Sequence, residues 1–160
     1  LSVRYFSINA SAGDDTFRLK HFLKAYKQRA FQRRDRVFTA EDRNYLISFA
    51  RLVPIDEGGY WLRGLFVIPE MRRLGIASHL VDTLLKEVKQ EEKARIYLLA
   101  REFLTDFYLA KGFTILEPND LPESLQATYE QAISHGKHWT AMKWSVYSPL
   151  SSNSLTPPSS

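Results

Sequence analysis

The chain contains no cysteine. That excludes disulfide scaffolds, thiolate metal sites and cysteine nucleophiles. A reducing cytoplasm is the expected compartment. Apolar runs are short, and none approaches the roughly 18–20 residues that a membrane span needs. No charged-then-apolar leader with a small-residue cleavage site is visible, so no secretion signal is expected. Histidine is sparse, with four residues, and no pair has metal-ligand spacing. No metal site is therefore expected. Glycine is also sparse, at seven residues. No Gly-Lys-Ser/Thr ending marks a P-loop, and no triple-glycine fingerprint marks a dinucleotide fold. There is no internal repeat.

What remains describes one domain of 160 residues, 44% hydrophobic and 25% charged. That is long enough and apolar enough for a real core. The net charge is +4, with a pI near 9.3. An excess of positive charge suits an anionic partner: nucleic acid, acidic lipid or a phosphate-rich cofactor. Residues 24–36 ("KAYKQRAFQRRDR") form the densest basic stretch. It is short for a nucleic-acid surface, which needs a continuous basic face with stacking aromatics. Neither a nucleic acid nor a membrane is the expected partner.

Hydrophobic periodicity gives the element order. Residues 3–8 read as a strand, and Asp14, Asp15 and Thr16 offer N-caps for a helix running to about Arg29. Residues 37–41 and 45–53 read as strands joined by the turn "DRN", and residues 60–68 as a third, stopped by Pro69. Residues 75–91 give the clearest helix, with Ala77, Leu80, Val81, Leu84, Leu85 and Val88 on one face. A buried strand over 95–100, a short helix over 104–111 with Gly112 at its C′ position, and a strand over 114–117 follow. Pro122 opens a helix ending near Gly136, and residues 138–147 alternate as a closing strand. Residues 148–160 ("SPLSSNSLTPPSS") read as a flexible polar tail. The order β-α-β-β-β-α-β-α-β-α-β predicts an α/β fold. Its mixed central sheet has about seven strands, with helices on both faces.

One junction carries chemistry. After the strand "LRGLFVIPE" the helix opens on "RRLGIASHL". The first amides of a helix lack partners inside it and carry partial positive charge, so a phosphate satisfies several at once. Gly75 lets the backbone turn tightly beside such a ligand, Ala77 keeps the approach open, and Arg72 and Arg73 add fixed charge. A diphosphate is the best fit. Taken alone, the stretch fits an ordinary surface turn equally well.

The segment Leu65-Phe66-Val67-Ile68-Pro69-Glu70-Met71-Arg72-Arg73-Leu74-Gly75-Ile76-Ala77 resembles motif A of the Gcn5-related N-acetyltransferases (GNAT), L-x-V-x-P followed by R-x-x-G-x-A. Downstream, Phe107-Tyr108-Leu109-Ala110-Lys111-Gly112-Phe113 is similar to that family's F-Y-x-x-x-G-F segment. Element order agrees too, so the resemblance covers about residues 3–147, read as one acetyltransferase domain.

The resemblance implies transfer of an acetyl group from acetyl-coenzyme A to a primary amine. The amine attacks directly, through a tetrahedral intermediate. It implies a pyrophosphate site from Arg72, Arg73, Leu74, Gly75, Ile76, Ala77 and Ser78. It also implies backbone contacts from Leu65, Phe66 and Val67 to the pantetheine arm. Gly64 is the candidate for a local departure of this strand from regular pairing. Tyr108 is the candidate general acid for the departing thiolate. Arg101 stands where many members carry an asparagine. The asparagine role does not transfer, and Arg101 is a candidate contact to a cofactor phosphate instead. Glu41, Glu57 and Glu102 are candidate bases by reach alone, and His138, Tyr129 and Trp139 are candidates for lining the acceptor pocket. The acceptor, a small-molecule or protein amine, stays open, and so does a homodimer. A catalytically idle acyl-coenzyme A sensor or partner module is the alternative function.

Overall fold

The computed structural model describes residues 2–9 and 13–146. The expected tail from residue 148 lies outside the described residues. Among the described residues, seven strands and four helices follow in the expected order. They are β1 (Val3–Ile8), α1 (Gly13–Ala25), β2 (Arg36–Asp42), β3 (Tyr45–Pro54), β4 (Tyr60–Val67) and α2 (Ile76–Val88). Then come β5 (Arg95–Arg101), α3 (Thr105–Ala110), β6 (Thr114–Ile115), α4 (Glu123–Ser134) and β7 (Trp139–Ser145). Short 3₁₀ turns, Pro69–Met71, Glu102–Leu104 and Pro118–Asp120, stand where loops were expected. The strands form one mixed sheet in the order β1-β2-β3-β4-β5-β7-β6. The expected fold class is what the chain adopts.

The chain divides into two compact units. The first is Leu1–Pro54 with Leu62–Val88, and the second is Ile55–Trp61 with Lys89–Ser160. In the first, β2 pairs antiparallel with β1 and with β3. The "DRN" turn forms as expected: Asp42 pairs with Tyr45 across Arg43 and Asn44, both at positive φ (50° and 69°). Two left-handed residues match the twist of a two-residue hairpin. Val37 to Glu41 and Ile47 to Leu52 are buried without a break. Strands buried at every position have both faces covered. Leu19, Phe22 and Leu23 of α1 and Ile76 of α2 join Val37, Phe49 and Val67 in the core of this unit.

Helix α1 stops four residues earlier than its apolar pattern suggests. The Gln28 amide donates to the Leu23 carbonyl at 2.8 Å and the Lys27 amide to the Lys24 carbonyl at 3.2 Å. That pairing is a Schellman stop, and it places Lys27, not a glycine, at φ 56°. Asp14 and Asp15 lie inside the first turn rather than before it. There they still complement the helix dipole.

In the second unit, β5 pairs with β7 and β7 with β6, all antiparallel, while the start of β4 runs parallel to β5 at Tyr60↔Ile96 and Trp61↔Tyr97. Tyr97, Leu121, Leu125 and Ala141 form a core cluster, with Tyr129 packed against it. Tyr129, a candidate for the acceptor pocket, therefore packs with the core. Both glycine stops form where the sequence puts them, with Gly112 at φ 95° after α3 and Gly136 at φ 78° after α4. Helix α4 starts on a distant partner. Glu57 accepts from the Ser124 amide and the Ser124 hydroxyl, both at 2.9 Å.

Candidate functional site

In the first unit the chain leaves β4 through a tight bend. Pro69 begins a 3₁₀ turn whose Met71 amide returns to Ile68. Arg73 then takes φ 65° and Gly75 φ 81° before Ile76 starts α2. The His79 amide donates to the Gly75 carbonyl at 3.0 Å, so the Ile76 and Ala77 amides precede the helical bonding ladder. Gly75 has no side chain to cap them, and the first turn of α2 contains no acidic residue. Arg73, Leu74 and Gly75 are exposed, Ala77 and Ser78 half-buried, and Ile76 buried in the core.

The two arginines differ in use. Arg72 donates through Nε to the Val67 carbonyl at 2.9 Å, and its guanidinium lies 5.6 Å from the centre of the Phe66 ring. It clasps the loop to the end of β4. Arg73 occupies the left-handed bend itself. His79 was missed as a neighbour of this loop. Its Nδ1 lies 2.9 Å from the Gly75 carbonyl, which requires the proton on that nitrogen. Only the helical spacing of Gly75 and His79 could have signalled it.

Along β4, backbone groups alternate in direction. The Phe66 carbonyl accepts from the Ser48 hydroxyl of β3 at 2.9 Å, and the Ile68 amide donates to Ile47 at 2.9 Å. Leu65 and Val67 therefore turn their backbone groups away from β3. The Phe66 ring packs against Phe22 and Tyr26 in the core. Gly64 takes φ 72°, far from extended backbone. A β-carbon there would come within 3.2 Å of the Phe49 ring. Both facts fit the local departure that the sequence suggested.

In the second unit, Tyr108 is placed by the way α3 ends. The Gly112 amide returns to Leu109 and the Phe113 amide to Tyr108, both at 3.1 Å. In a Schellman stop these two residues, C″ and C3, touch. The rings of Phe113 and Tyr108 meet edge-on, 5.4 Å between centres. The spacing Tyr108…Gly112-Phe113 is thus a helix-ending device that locks the phenol. Tyr108 is buried, and burial pushes its hydroxyl up to about 12. Among the described residues that hydroxyl makes no hydrogen bond, and Arg51 Nε is the one fully buried side-chain polar atom lacking a partner.

Also in the second unit, a cavity of about 620 Å³ opens where β5 ends and β7 begins. It brings together Arg101, Glu102, Phe103, Lys137, His138 and Trp139. Three sequence candidates (Arg101, Glu102 and His138) meet there with the candidate acceptor residue Trp139. The Glu102 amide donates to the His138 carbonyl at 2.9 Å, and the Lys137 ammonium sits 5.3 Å from the Trp139 ring.

The other two candidate bases are engaged. Glu41 is buried, bonded to Arg4 Nη2 at 2.8 Å through one oxygen and Arg18 Nη2 at 3.1 Å through the other. The Arg4 hydrogen bond leads in holding its carboxyl below the usual range. Glu57 is lowered by the Ser124 amide and hydroxyl that it caps. Glu41 is buried and paired, whereas Glu57 is exposed and engaged as a cap. Among the described residues no cluster of His, Asp or Glu could hold a metal ion. None of the described helices is long and apolar enough to cross a membrane.

Comparison with known proteins follows the same outline. The model of the acetyltransferase (GNAT) family matches residues 5–113. No curated protein matches the chain. Among solved structures, N-acetylglutamate synthase from Neisseria gonorrhoeae, complexed with coenzyme A and N-acetyl-glutamate, superposes with a TM-score of 0.66 at 16% identity. The match covers 89% of this chain and 35% of that one, so this chain spans about a third of the synthase. An aminoglycoside 6′-N-acetyltransferase complexed with coenzyme A gives 0.65 at 18% identity, over 89% and 97% of the two chains. The ribosomal-protein-S18-alanine N-acetyltransferase from Escherichia coli gives 0.60 at 16%, over 90% and 94%. These identities speak for the fold, while the family match takes in more than half of the residues. The chain belongs to the GNAT acetyltransferase family.

Proposed function

We propose that the protein moves an acetyl group from acetyl-coenzyme A to a primary amine by direct attack on the thioester. The observation that carries this reading is the bend before α2. There Gly75 at φ 81° delivers the Ile76 and Ala77 amides with no capping side chain and no acidic residue in the first turn. Such an end binds phosphate. The loop Arg72, Arg73, Leu74, Gly75, Ile76, Ala77 and Ser78 takes the pyrophosphate, and His79 borders it. Leu65 and Val67 meet the pantetheine through backbone groups, with Phe66 anchoring the strand between them. Arg101 supplies charge toward a cofactor phosphate.

Tyr108 assists the leaving group. A phenol held near pH 12 is mismatched to full proton transfer, which is most efficient when the acid's pKa lies near the working pH. It stays protonated well below that, and its hydroxyl has no hydrogen-bond partner among the described residues, so it donates a hydrogen bond to sulfur as negative charge develops. No thiol nucleophile is needed, in keeping with a chain that has no cysteine. Two of the solved structures named above hold coenzyme A, which supports the donor.

The test follows thiol release from acetyl-coenzyme A across a panel of amines, beside calorimetry with coenzyme A. Binding with turnover on at least one amine is expected, and Gly75→Val, forced into a left-handed bend, should weaken binding about tenfold or more. Binding without turnover on any amine would favour a sensor instead, and no heat of binding would end both readings.

A further inference from the structure

The imidazole of His79 is pinned over the bend that opens α2. Its Nδ1 lies 2.9 Å from the Gly75 carbonyl, and the His79 amide reaches the same oxygen at 3.0 Å. A carbonyl only accepts, so Nδ1 carries the proton. The ring also packs against Tyr5 of β1, 5.7 Å between centres. Together these contacts fix its tautomer and its place. The other ring nitrogen, Nε2, makes no hydrogen bond among the described residues, and His79 is exposed. Gly75 sets what lies beside that nitrogen. A β-carbon at Gly75 would stand 3.7 Å from His79 Nδ1 and 3.8 Å from Cε1. Cε1 is bonded to Nε2, so the free nitrogen borders the space that the glycine leaves open. A side chain just before a helix normally folds over the first amides from that position. The space is therefore the approach to the Ile76 and Ala77 amides. Tyr5, Gly75 and His79 all belong to the first unit.

With Nδ1–H committed to a carbonyl, the neutral imidazole offers Nε2 only as a lone pair. A lone pair gives a phosphate nothing to accept. A second proton makes Nε2 a donor on a cation, and hydrogen bonds from cations to phosphate are the strong kind. We infer that His79 is a proton-gated ligand of the donor's pyrophosphate, binding it through Nε2–H only as imidazolium and so coupling coenzyme A affinity to pH. The inference rests on the coenzyme A reading and adds to that site a residue outside the loop motif. Its sign follows from linkage. The complex holds more protons than the free protein, so affinity rises as pH falls through the range where histidine changes charge, about pH 8 to 5. The groups around the ring are few. Tyr5 of β1 has its hydroxyl pushed up by burial, so it stays neutral there. Arg72 and Arg73 of the loop stay charged. Glu70 of the 3₁₀ turn and Asp82 of α2, both exposed, are the carboxylates to control for.

Calorimetry with 3′-dephospho-coenzyme A is the test. That ligand keeps the pyrophosphate and lacks the phosphate monoester, which would itself titrate near pH 6. Its binding to the native protein should tighten about tenfold between pH 8.5 and 5.5. Near pH 7, heats measured in buffers of different ionisation enthalpy should show uptake of a fraction of a proton. His79→Gln should flatten the pH slope and abolish the uptake while still binding. Glu70→Gln and Asp82→Asn should both keep the slope. Affinity that ignores pH in the native protein, or a slope that survives His79→Gln, overturns the inference and leaves the coenzyme A reading standing. No heat at any pH, with coenzyme A as well as its dephospho form, ends both. Should His79→Gln not fold, the native protein decides by NMR. The assigned His79 ring signals should titrate at higher pH once the ligand is bound, and an unmoved titration overturns the inference.

Discussion

Burial fixes the behaviour of Tyr108 more than its neighbours in sequence do. Because its hydroxyl titrates near 12, the alkaline limb of a rate profile should show no loss from this group below about pH 10. Tyr108→Phe should lower kcat by about 10²-fold, the low end for a lost acid, with KM for acetyl-coenzyme A nearly unchanged. The sign for stability is the reverse of a carboxylate's. The unfolded chain gives up this proton first, so stability should fall as pH rises above about 10, and the variant should lack that component. At the same scale, Asp35→Ala should cost about 3–5 kcal/mol, since it strands Arg51 in the core; urea unfolding measures it. Tyr108 was legible because its motif is local, five residues from tyrosine to phenylalanine. The Arg51–Asp35 pair was not, because it joins residues 16 apart in the chain. Nothing in the periodicity of "SFARL" distinguishes a buried, paired arginine from a strand's solvent face.

Helix ends show where sequence reading succeeds and where it fails among elements. Gly112 and Gly136 announce the stops of α3 and α4, since left-handed backbone favours glycine. Lys27 makes the same stop for α1 without announcing it, so the helix reads four residues too long. Lys27→Gly should relieve that strain and stabilise by up to about 1 kcal/mol in a thermal melt. Gly112→Ala should do the opposite by about 1–2 kcal/mol. It should also lower kcat without touching substrate, because the same stop seats Tyr108 against Phe113. Glu57 was read as a candidate base and turns out to cap α4. Its carboxyl is held below its ordinary value of 4.5, so the cap is complete above that pH and lost as pH falls through the lowered value. Glu57→Gln should remove this acid-sensitive part of the unfolding profile.

Among the described residues, the seven strands, four helices and their order were readable because each core strand and helix carries its own apolar period. Pairings between distant residues were not readable, and they decide which charged groups stay free. The net charge of +4 and the arginines near Gly75 suggest that coenzyme A affinity should fall steadily with ionic strength. The Debye length shrinks from about 10 Å at 0.1 M to about 3 Å at 1 M salt, and calorimetry at several salt concentrations reads the slope. Helix α4 carries a last lesson about portability. Its finish is written locally in Gly136, but its beginning depends on a carboxylate 67 positions upstream. A synthetic peptide spanning residues 118–137 would keep the stop and lose the start, and would fray from the front. Grafted elsewhere, the segment would have to be supplied with a new acid at its head.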